Sequence, residues 1–459
     1  MKKRVRGTKR SSGGFAKSIR AATKEILSYS WGHIVTLVVG FLSFVSLLVI
    51  LFLPLSKGPS QFSYTSAMPA VSSPQFIRSL SASLNLPVDQ GEPVQTLSNG
   101  DAFLDALLKD IDGARRSINI MVYIWTDGRM SDQVIEHLSR KIGEGVQVRI
   151  MIDSFGSNWW ERPSKLKSLK DAGAKVEVFR SLTIAPWDFL KNHLRNHRRA
   201  MIVDGETGYL GGMAISDPWL GDARNSKEIR DLMFRVTGSM ARHLQGVFSE
   251  LWASTAGEIL VGDRFYPPLP EAKDKRALTY LSLPSTPTPD TLVLQKFVLL
   301  SLAAAEKKIY ITSPYFLPDR SLREILIRKA KEGVDVRVLV PNGLNDSRAV
   351  RHASRDSYDE LLAGGVQIYE YQPTFIHAKL LVVDSFWSIV GSANMDNRSR
   401  KLNEEAVVGI LDREFGAKLE TIFLADTVKA EQIKLPEWRK RSLWSRAQEL
   451  VARNFIEQY

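Results

Sequence analysis

Residues 144–154 run EGVQVRIMIDS, and residues 332–342 run EGVDVRVLVPN. Each is a glycine-led stretch of β-branched and apolar residues, the pattern of a strand covered on both faces. The two copies lie 188 residues apart, and their flanks repeat as well. Before the first copy come a helical pattern over 101–114, with Phe103, Leu104, Leu107, Leu108 and Ile111 at helical spacing, a strand-like run at 117–125 and a second helical stretch at 132–142. Before the second come a helical stretch at 291–304, a strand at 308–313 and a helix at 322–331. Helices alternating with buried strands predict an α/β fold with a largely parallel sheet. The period is too long for a solenoid. A duplication into two similar α/β sandwich halves, packed about a pseudo-twofold axis, accounts for it.

Composition narrows the function classes. A chain of 459 residues with 44% hydrophobic and 24% charged residues is globular, not disordered. It has no cysteine, which excludes disulfides, Cys-ligated zinc, iron–sulfur clusters and thiol nucleophiles. The net charge of +12 is uneven: residues 1–30 hold nine Lys and Arg against Glu25, so +8 sits there and +4 on the remainder. That distribution does not favour nucleic acid as a partner. Residues 33–53, HIVTLVVGFLSFVSLLVILFL, carry no charged side chain. As a helix they would extend roughly 31 Å, the thickness of a hydrocarbon core.

These signals give an expected layout: a basic cytoplasmic tail at 1–30, a single transmembrane helix at 31–54, a Ser/Pro-rich linker at 55–94, one half at 95–265, the other at 285–430, and a basic and aromatic helix at 431–459. The tail predicts a cell-membrane protein with its N-terminus in the cytoplasm. One crossing puts the large domain outside; a re-entrant hairpin would leave it inside. The stretch 438–455 suits an interfacial helix on anionic lipid. Trp159, Trp160, Trp187 and Phe189 suit an apolar rim dipping into lipid.

Each half carries one histidine motif. The second is His377-Ala-Lys379, then LLVV and Asp384, followed by Gly391-Ser392-Ala393-Asn394. In extended backbone His377 and Lys379 share a face. With Ser392 and Asn394 they make a site for a tetrahedral oxyanion: the lysine brings charge, hydroxyl and amide bring hydrogen bonds, and the imidazole acts as nucleophile or proton carrier. The first motif is His197-Arg198-Arg199, then AMIV and Asp204, followed by Gly211-Gly212-Met213-Ala214. The histidines are 180 residues apart, close to the repeat offset, so both are expected at equivalent points, meeting across the interface.

At these residues the sequence resembles the phospholipase D superfamily, whose signature is H-x-K-x4-D followed by G-[SG]-x-N, present twice, and it is most similar to the bacterial cardiolipin synthases. YIWTDGR at 123–129, SPYFLPD at 313–319, GSANMDNRS at 391–399 and LNEE at 402–405 add to the likeness, which extends over about 97–445. It implies phospholipase D-like halves and metal-free, cofactor-free phosphoryl transfer in two steps. One histidine attacks phosphorus; the other protonates the leaving alkoxide and then deprotonates the incoming alcohol or water. In the family the N-terminal motif usually supplies the nucleophile, which gives that role to His197 and the acid/base role to His377; the residues alone do not order them. Arg199, Lys379, Asp204 and Asp384 complete the expected catalytic set. An imidazole nucleophile needs an acceptor on its other nitrogen. Glu405 lies 28 residues past His377, where the family places such a carboxylate, and Asp231 is the matching candidate in the first half. Ser392, Asn394, Gly212, Asp346 and Tyr358 are the expected substrate-binding residues.

Two positions depart from the pattern. Arg199 replaces lysine, a bulkier, planar cation. Ala214 replaces asparagine and removes a donor. His137 and His243 fall on predicted helices as packing or surface residues; His193 and His352 lie nearer the motifs. The seven histidines are too scattered for a zinc site. The expected activity is a phosphatidyltransferase that makes cardiolipin from phosphatidylglycerol at the bilayer. The alternatives are a phospholipase D hydrolase releasing phosphatidic acid, a catalytically impaired lipid-binding homologue and, least favoured by charge, a nuclease. The oligomeric state is not legible.

Overall fold

The computed structural model is described for residues 32–41, 43–44, 65–157, 164–181, 193–269, 276–287, 292–442 and 449. The chain divides into two compact units, Met1–Ser56 and Lys57–Tyr459. In the first, residues 32–41 and 43–44 are helical and exposed. Among the described residues no helix is long and apolar enough to cross a membrane. Residues 31, 42 and 45–54 of the expected span lie outside them, as does the basic tail.

The second unit contains two sheets. The first has seven strands, in the order β2 (Gln95–Ser98), β9 (Leu232–Thr237), β8 (Thr207–Gly211), β7 (Ala200–Val203), β3 (Ser117–Val122), β4 (Gln147–Asp153) and β5 (Lys175–Phe179). The second runs β1 (Asp89–Gly91), β10 (Leu278–Ser285), β16 (Asn403–Leu411), β15 (Trp387–Gly391), β14 (Leu380–Val383), β11 (Lys308–Thr312), β12 (Asp335–Pro341), β13 (Gln367–Tyr371) and β17 (Ala430–Ile433), and β6 (Arg195–Asn196) also pairs with β16. The series β9-β8-β7-β3-β4-β5 recurs as β16-β15-β14-β11-β12-β13. The repeated stretches quoted above are β4 and β12.

The sheets are mixed, not largely parallel. β3, β4 and β5 are parallel, as are β11, β12 and β13, but β7–β8 and β14–β15 are antiparallel hairpins. The reason is the tight turn after each histidine motif. Asp204 and Gly205 take φ of 56° and 69°, and Asp384 and Ser385 take 52° and 54°, the left-handed backbone a short reversal requires.

Asp204 also does a second job. Its carboxylate accepts from the backbone N–H groups of Arg115, Arg116 and Ser117 at 2.8, 2.7 and 2.9 Å. Asp384 does the same for Glu306, Lys307 and Lys308 at 2.9, 2.8 and 2.8 Å. Both were expected among the catalytic residues. Instead each ties the hairpin turn to the start of its central strand, at the far end of the strand that follows the histidine. Asp204→Ala is therefore expected to lower apparent stability by about 2–4 kcal/mol, read as a fall in the urea midpoint, with phosphodiester affinity kept by the molecules that remain folded.

Three expected boundaries move. Residues 74–84 are a helix, not linker: Ser73 caps it, and Phe76, Leu80 and Leu84 are buried at four-residue spacing. Phe76 meets Trp387 edge-on at 5.2 Å. Residues 278–284, assigned to neither half, form β10 together with Ser285, between edge strand β1 and β16 on the second sheet's antiparallel side. Trp438, expected on an interfacial helix, is 3% exposed and packs on Tyr358 at 5.0 Å; most of 443–459 lies outside the described residues. One apolar core draws on both halves, with Phe234 and Leu244 from the first and Tyr310, Phe415 and Phe423 from the second. At about 1.5–3 kcal/mol per buried large side chain, this shared core fixes how the halves meet.

Candidate active site

β6 leads into the first histidine. It pairs in parallel with Asn403 and Glu404 at the start of β16, and the His197 N–H donates to the Glu404 carbonyl at 2.9 Å. That register sets Glu405 beside the ring, and His197 Nδ1 lies 2.9 and 3.0 Å from its carboxylate oxygens. The second histidine is held the same way by the first half. Ile376 bridges Arg230, the His377 N–H donates to the Arg230 carbonyl at 2.7 Å, and His377 Nδ1 lies 2.7 Å from Asp231 Oδ2. The carboxylates are thus exchanged: each half orients the other half's imidazole. His197, His377, Asp231 and Glu405 are all buried.

The second ring nitrogens face cations. Arg199 Nη1 lies 2.9 Å from His197 Nε2, and Lys379 Nζ lies 3.0 Å from His377 Nε2 and 3.1 Å from its Nδ1. A carboxylate only accepts and a guanidinium or ammonium only donates. His197 is therefore the neutral Nδ1–H tautomer with its lone pair on Nε2, and for His377 the shorter contact of Nδ1 with Asp231 favours the same tautomer. Burial, then the Arg199 charge, pulls His197 down to about 4. Burial, then Lys379, pulls His377 down to about 3. Lys379 is itself drawn down to about 7 by burial and, against the attraction of Asp231, by Arg199. Arg199 acts on His377 and Lys379 on His197, so the two motifs form one charge cluster.

Supporting contacts differ between the halves. Ser392 Oγ donates to Glu405 Oε2 at 2.5 Å, so this expected substrate ligand holds the carboxylate. Gly212 stands in the matching place, where a Cβ would come within 2.4 Å of Asp231 Oδ1; Trp219 Nε1 supplies the donor instead, at 3.0 Å from Asp231 Oδ2. Trp219 and Phe375 stand edge-on to His377 at 5.3 and 5.6 Å, and Tyr123 to His197 at 5.1 Å. Sequence reasoning missed all three. The positions of Tyr123 and Trp219, just past β3 and β8, were the available signal.

Of the remaining expected residues, Asn394 is buried with its side-chain Oδ1 unpaired, and Arg199 has an unpaired buried Nε. Ala214 is fully buried in the first-half core. Asp346 accepts from the Tyr315 hydroxyl within electrostatic reach of Lys379. Tyr358 is not in the site: it is 2% exposed, in the core of the second half. His137 contacts Asp112 and His243 contacts the Tyr280 hydroxyl; the His193 carbonyl accepts from Arg398; His352 lies on the helix Arg348–Asp356. Trp159, Trp160, Trp187 and Phe189 lie outside the described residues. Among the described residues no group of three or more His, Asp or Glu is placed to hold a metal ion.

Lys379 makes anion binding pH-dependent. Its pKa of about 7 must rise when an anion binds, so binding takes up a proton and weakens as pH increases. The affinity for a dialkyl phosphate, whose own charge is constant, is expected to fall by roughly tenfold between about pH 6 and 8.5. Lys379→Arg should flatten the calorimetric profile, because arginine stays charged; an unchanged slope would assign the effect elsewhere.

The family model described as cardiolipin synthase, PLD-like domain matches residues 107–252 and 298–427. A cardiolipin synthase of Listeria monocytogenes serotype 4a is 35% identical over 366 residues, 79% of this chain and 75% of the relative. One from Halalkalibacterium halodurans is 32% identical over 370 residues, 80% of this chain and 73% of the relative. Cardiolipin synthase A of Yersinia pseudotuberculosis is 33% identical over 367 residues, 78% and 74%. Among solved structures, phosphatidylserine synthase of Haemophilus influenzae superposes with a TM-score of 0.62 at 14% identity, over 82% of this chain and 96% of that one, a likeness of fold. With both motif sets inside the matched segments, the chain belongs to the PLD-like domain family of the cardiolipin synthases.

Proposed function

We propose that this chain is a cardiolipin synthase-like phosphatidyltransferase acting on phosphatidylglycerol through a phosphohistidine. The observation that carries the reading is the pair of neutral, carboxylate-oriented imidazoles whose Nε2 atoms face Arg199 and Lys379. His197 Nε2 attacks phosphorus, forming a P–N bond as the P–O bond to the headgroup glycerol breaks. The departing oxygen takes a proton from His377. The free hydroxyl of a second phosphatidylglycerol then gives its proton to His377 and attacks phosphorus, releasing His197 and diphosphatidylglycerol. The bound phosphodiester brings a negative charge against Arg199 and Lys379, which favours the protonated His377 that burial and Lys379 disfavour. The unpaired Arg199 Nε–H supplies a further donor to that anion.

The Arg199 departure supports an active site, since its guanidinium makes the same contact to Nε2 that Lys379 makes. The recurring strand order supports two halves about a pseudo-twofold axis. The uncharged stretch 33–53 supports a bilayer anchor beside the lipid substrates. The test is incubation of the purified chain with acyl-labelled phosphatidylglycerol in mixed micelles containing a chelator. Diphosphatidylglycerol and glycerol in equal amounts are expected. Phosphatidic acid alone would make it a hydrolase, and bound but unconverted lipid an impaired homologue.

A further inference from the structure

The active centre is built twice, but its surroundings are not. The bridges Trp125–Ile215 and Phe316–Met395 mark equivalent points in the two halves, so Tyr315 stands where the first half has Ile124. The Tyr315 hydroxyl donates to the Asp346 carboxylate. Tyr315 is half-buried and Asp346 exposed, so the pair opens to solvent. Ser313 Oγ donates to the Tyr315 carbonyl at 2.9 Å and accepts from the Met395 N–H at 3.1 Å, which ties Tyr315 to the residue after Asn394; Asp346 is within electrostatic reach of Lys379, and Tyr315 of Tyr123 and Arg199, so the pair borders the centre on the side of the second half. Asn345 and Ser347 hold the turn around it: Asn345 Oδ1 accepts from the Ser347 N–H at 2.9 Å, and Ser347 caps the helix Arg348–Asp356.

An in-line displacement sets the leaving oxygen opposite the nucleophile. With His197 attacking from the first half, the leaving glycerol lies toward the second half, beside His377 and Lys379. The acceptor must later enter by the same side. Under the transfer reading proposed above, on which this inference rests, both groups are glycerol: one hydroxyl oxygen reacts and its neighbour stays free. A carboxylate hydrogen-bonded to a phenol offers an acceptor and an adaptable donor to that neighbour. We infer that Tyr315 and Asp346 form the subsite for the glycerol headgroup, binding the hydroxyl adjacent to the reacting oxygen, first on the leaving group and then on the acceptor. The symmetric centre handles phosphorus, and this unsymmetric pair selects the alcohol.

The test is a competition between acceptors. The purified full chain is given labelled phosphatidylglycerol with equal concentrations of 1,2-propanediol and 1-propanol, and the two phosphatidyl alcohols are quantified. Wild type should favour the diol by about tenfold, the worth of a hydrogen bond to a charged group. Tyr315→Phe and Asp346→Asn should each bring the ratio toward one. The ratio does not depend on how much enzyme folds, so lost protein cannot mimic the effect. A wild type that makes diphosphatidylglycerol but shows no preference, or variants that keep it, would overturn the subsite and leave the transfer reading intact. Phosphatidic acid as the sole product in every mixture would overturn the transfer reading itself, and the subsite with it.

Discussion

His197→Ala is expected to lower kcat by on the order of 10⁶, the scale seen when a covalent nucleophile is removed, and to leave no phosphorylated protein. His377→Ala should lose about 10²–10⁴, the contribution of a positioned acid or base, and should fail at a different step. A phosphatidyl donor with a p-nitrophenyl headgroup separates the two. Nitrophenolate departs without a proton, so the first step needs only the nucleophile. His377→Ala should then release one nitrophenolate per site in a burst and stall, because no base activates the acceptor. Mass spectrometry of the stalled protein should find the lipid adduct on His197. His197→Ala should show neither burst nor adduct. An adduct on His377 would exchange the two assignments, which the near-symmetric geometry of the rings makes a real contest: both are neutral, both are Nδ1-tethered, and both are buried.

Much of this centre was legible because the chain says it twice. The echo of EGVQVRIMIDS in EGVDVRVLVPN located β4 and β12 within two residues, and the 180-residue spacing of the histidines anticipated one shared site. What sequence could not carry was direction. Alternation of helix and strand does not distinguish a crossover from a hairpin, so the antiparallel pairs β7–β8 and β14–β15 were missed although Asp204-Gly205 marks the first turn. Motif membership also hides role. Asp204 and Asp384 recur with the histidines, yet they are recurrent because each caps three backbone N–H groups at the far end of the sheet. Spacing likewise cannot reveal contacts between distant segments, such as Trp219 on Asp231. The helix at 74–84 was within reach, since Phe76, Leu80 and Leu84 keep helical spacing; the prolines and serines around them masked it.

The exchanged carboxylates make the sharpest demand on the mechanism. If Glu405 serves His197 and Asp231 serves His377, a carboxylate substitution should copy the histidine of the opposite half. Glu405→Gln keeps the shape but loses the charge that fixes the Nδ1–H tautomer; comparable changes cost about 10⁴ where a buried carboxylate orients a catalytic imidazole. It should abolish the nitrophenolate burst, as His197→Ala does. Asp231→Asn should keep the burst and stall with the adduct in place, as His377→Ala does. Carboxylates acting within their own halves would give the reverse pattern, Glu405→Gln trapping the adduct and Asp231→Asn preventing it. The crossing has a further consequence. Neither half alone holds an oriented histidine, because the Nδ1 acceptor of each arrives from the other half through β6–β16 pairing or the Arg230–Ile376 bridge. Chemistry is thereby conditional on correct docking of the halves, and a chain with both motifs folded but misdocked would carry two imidazoles with no defined tautomer and no shared anion site.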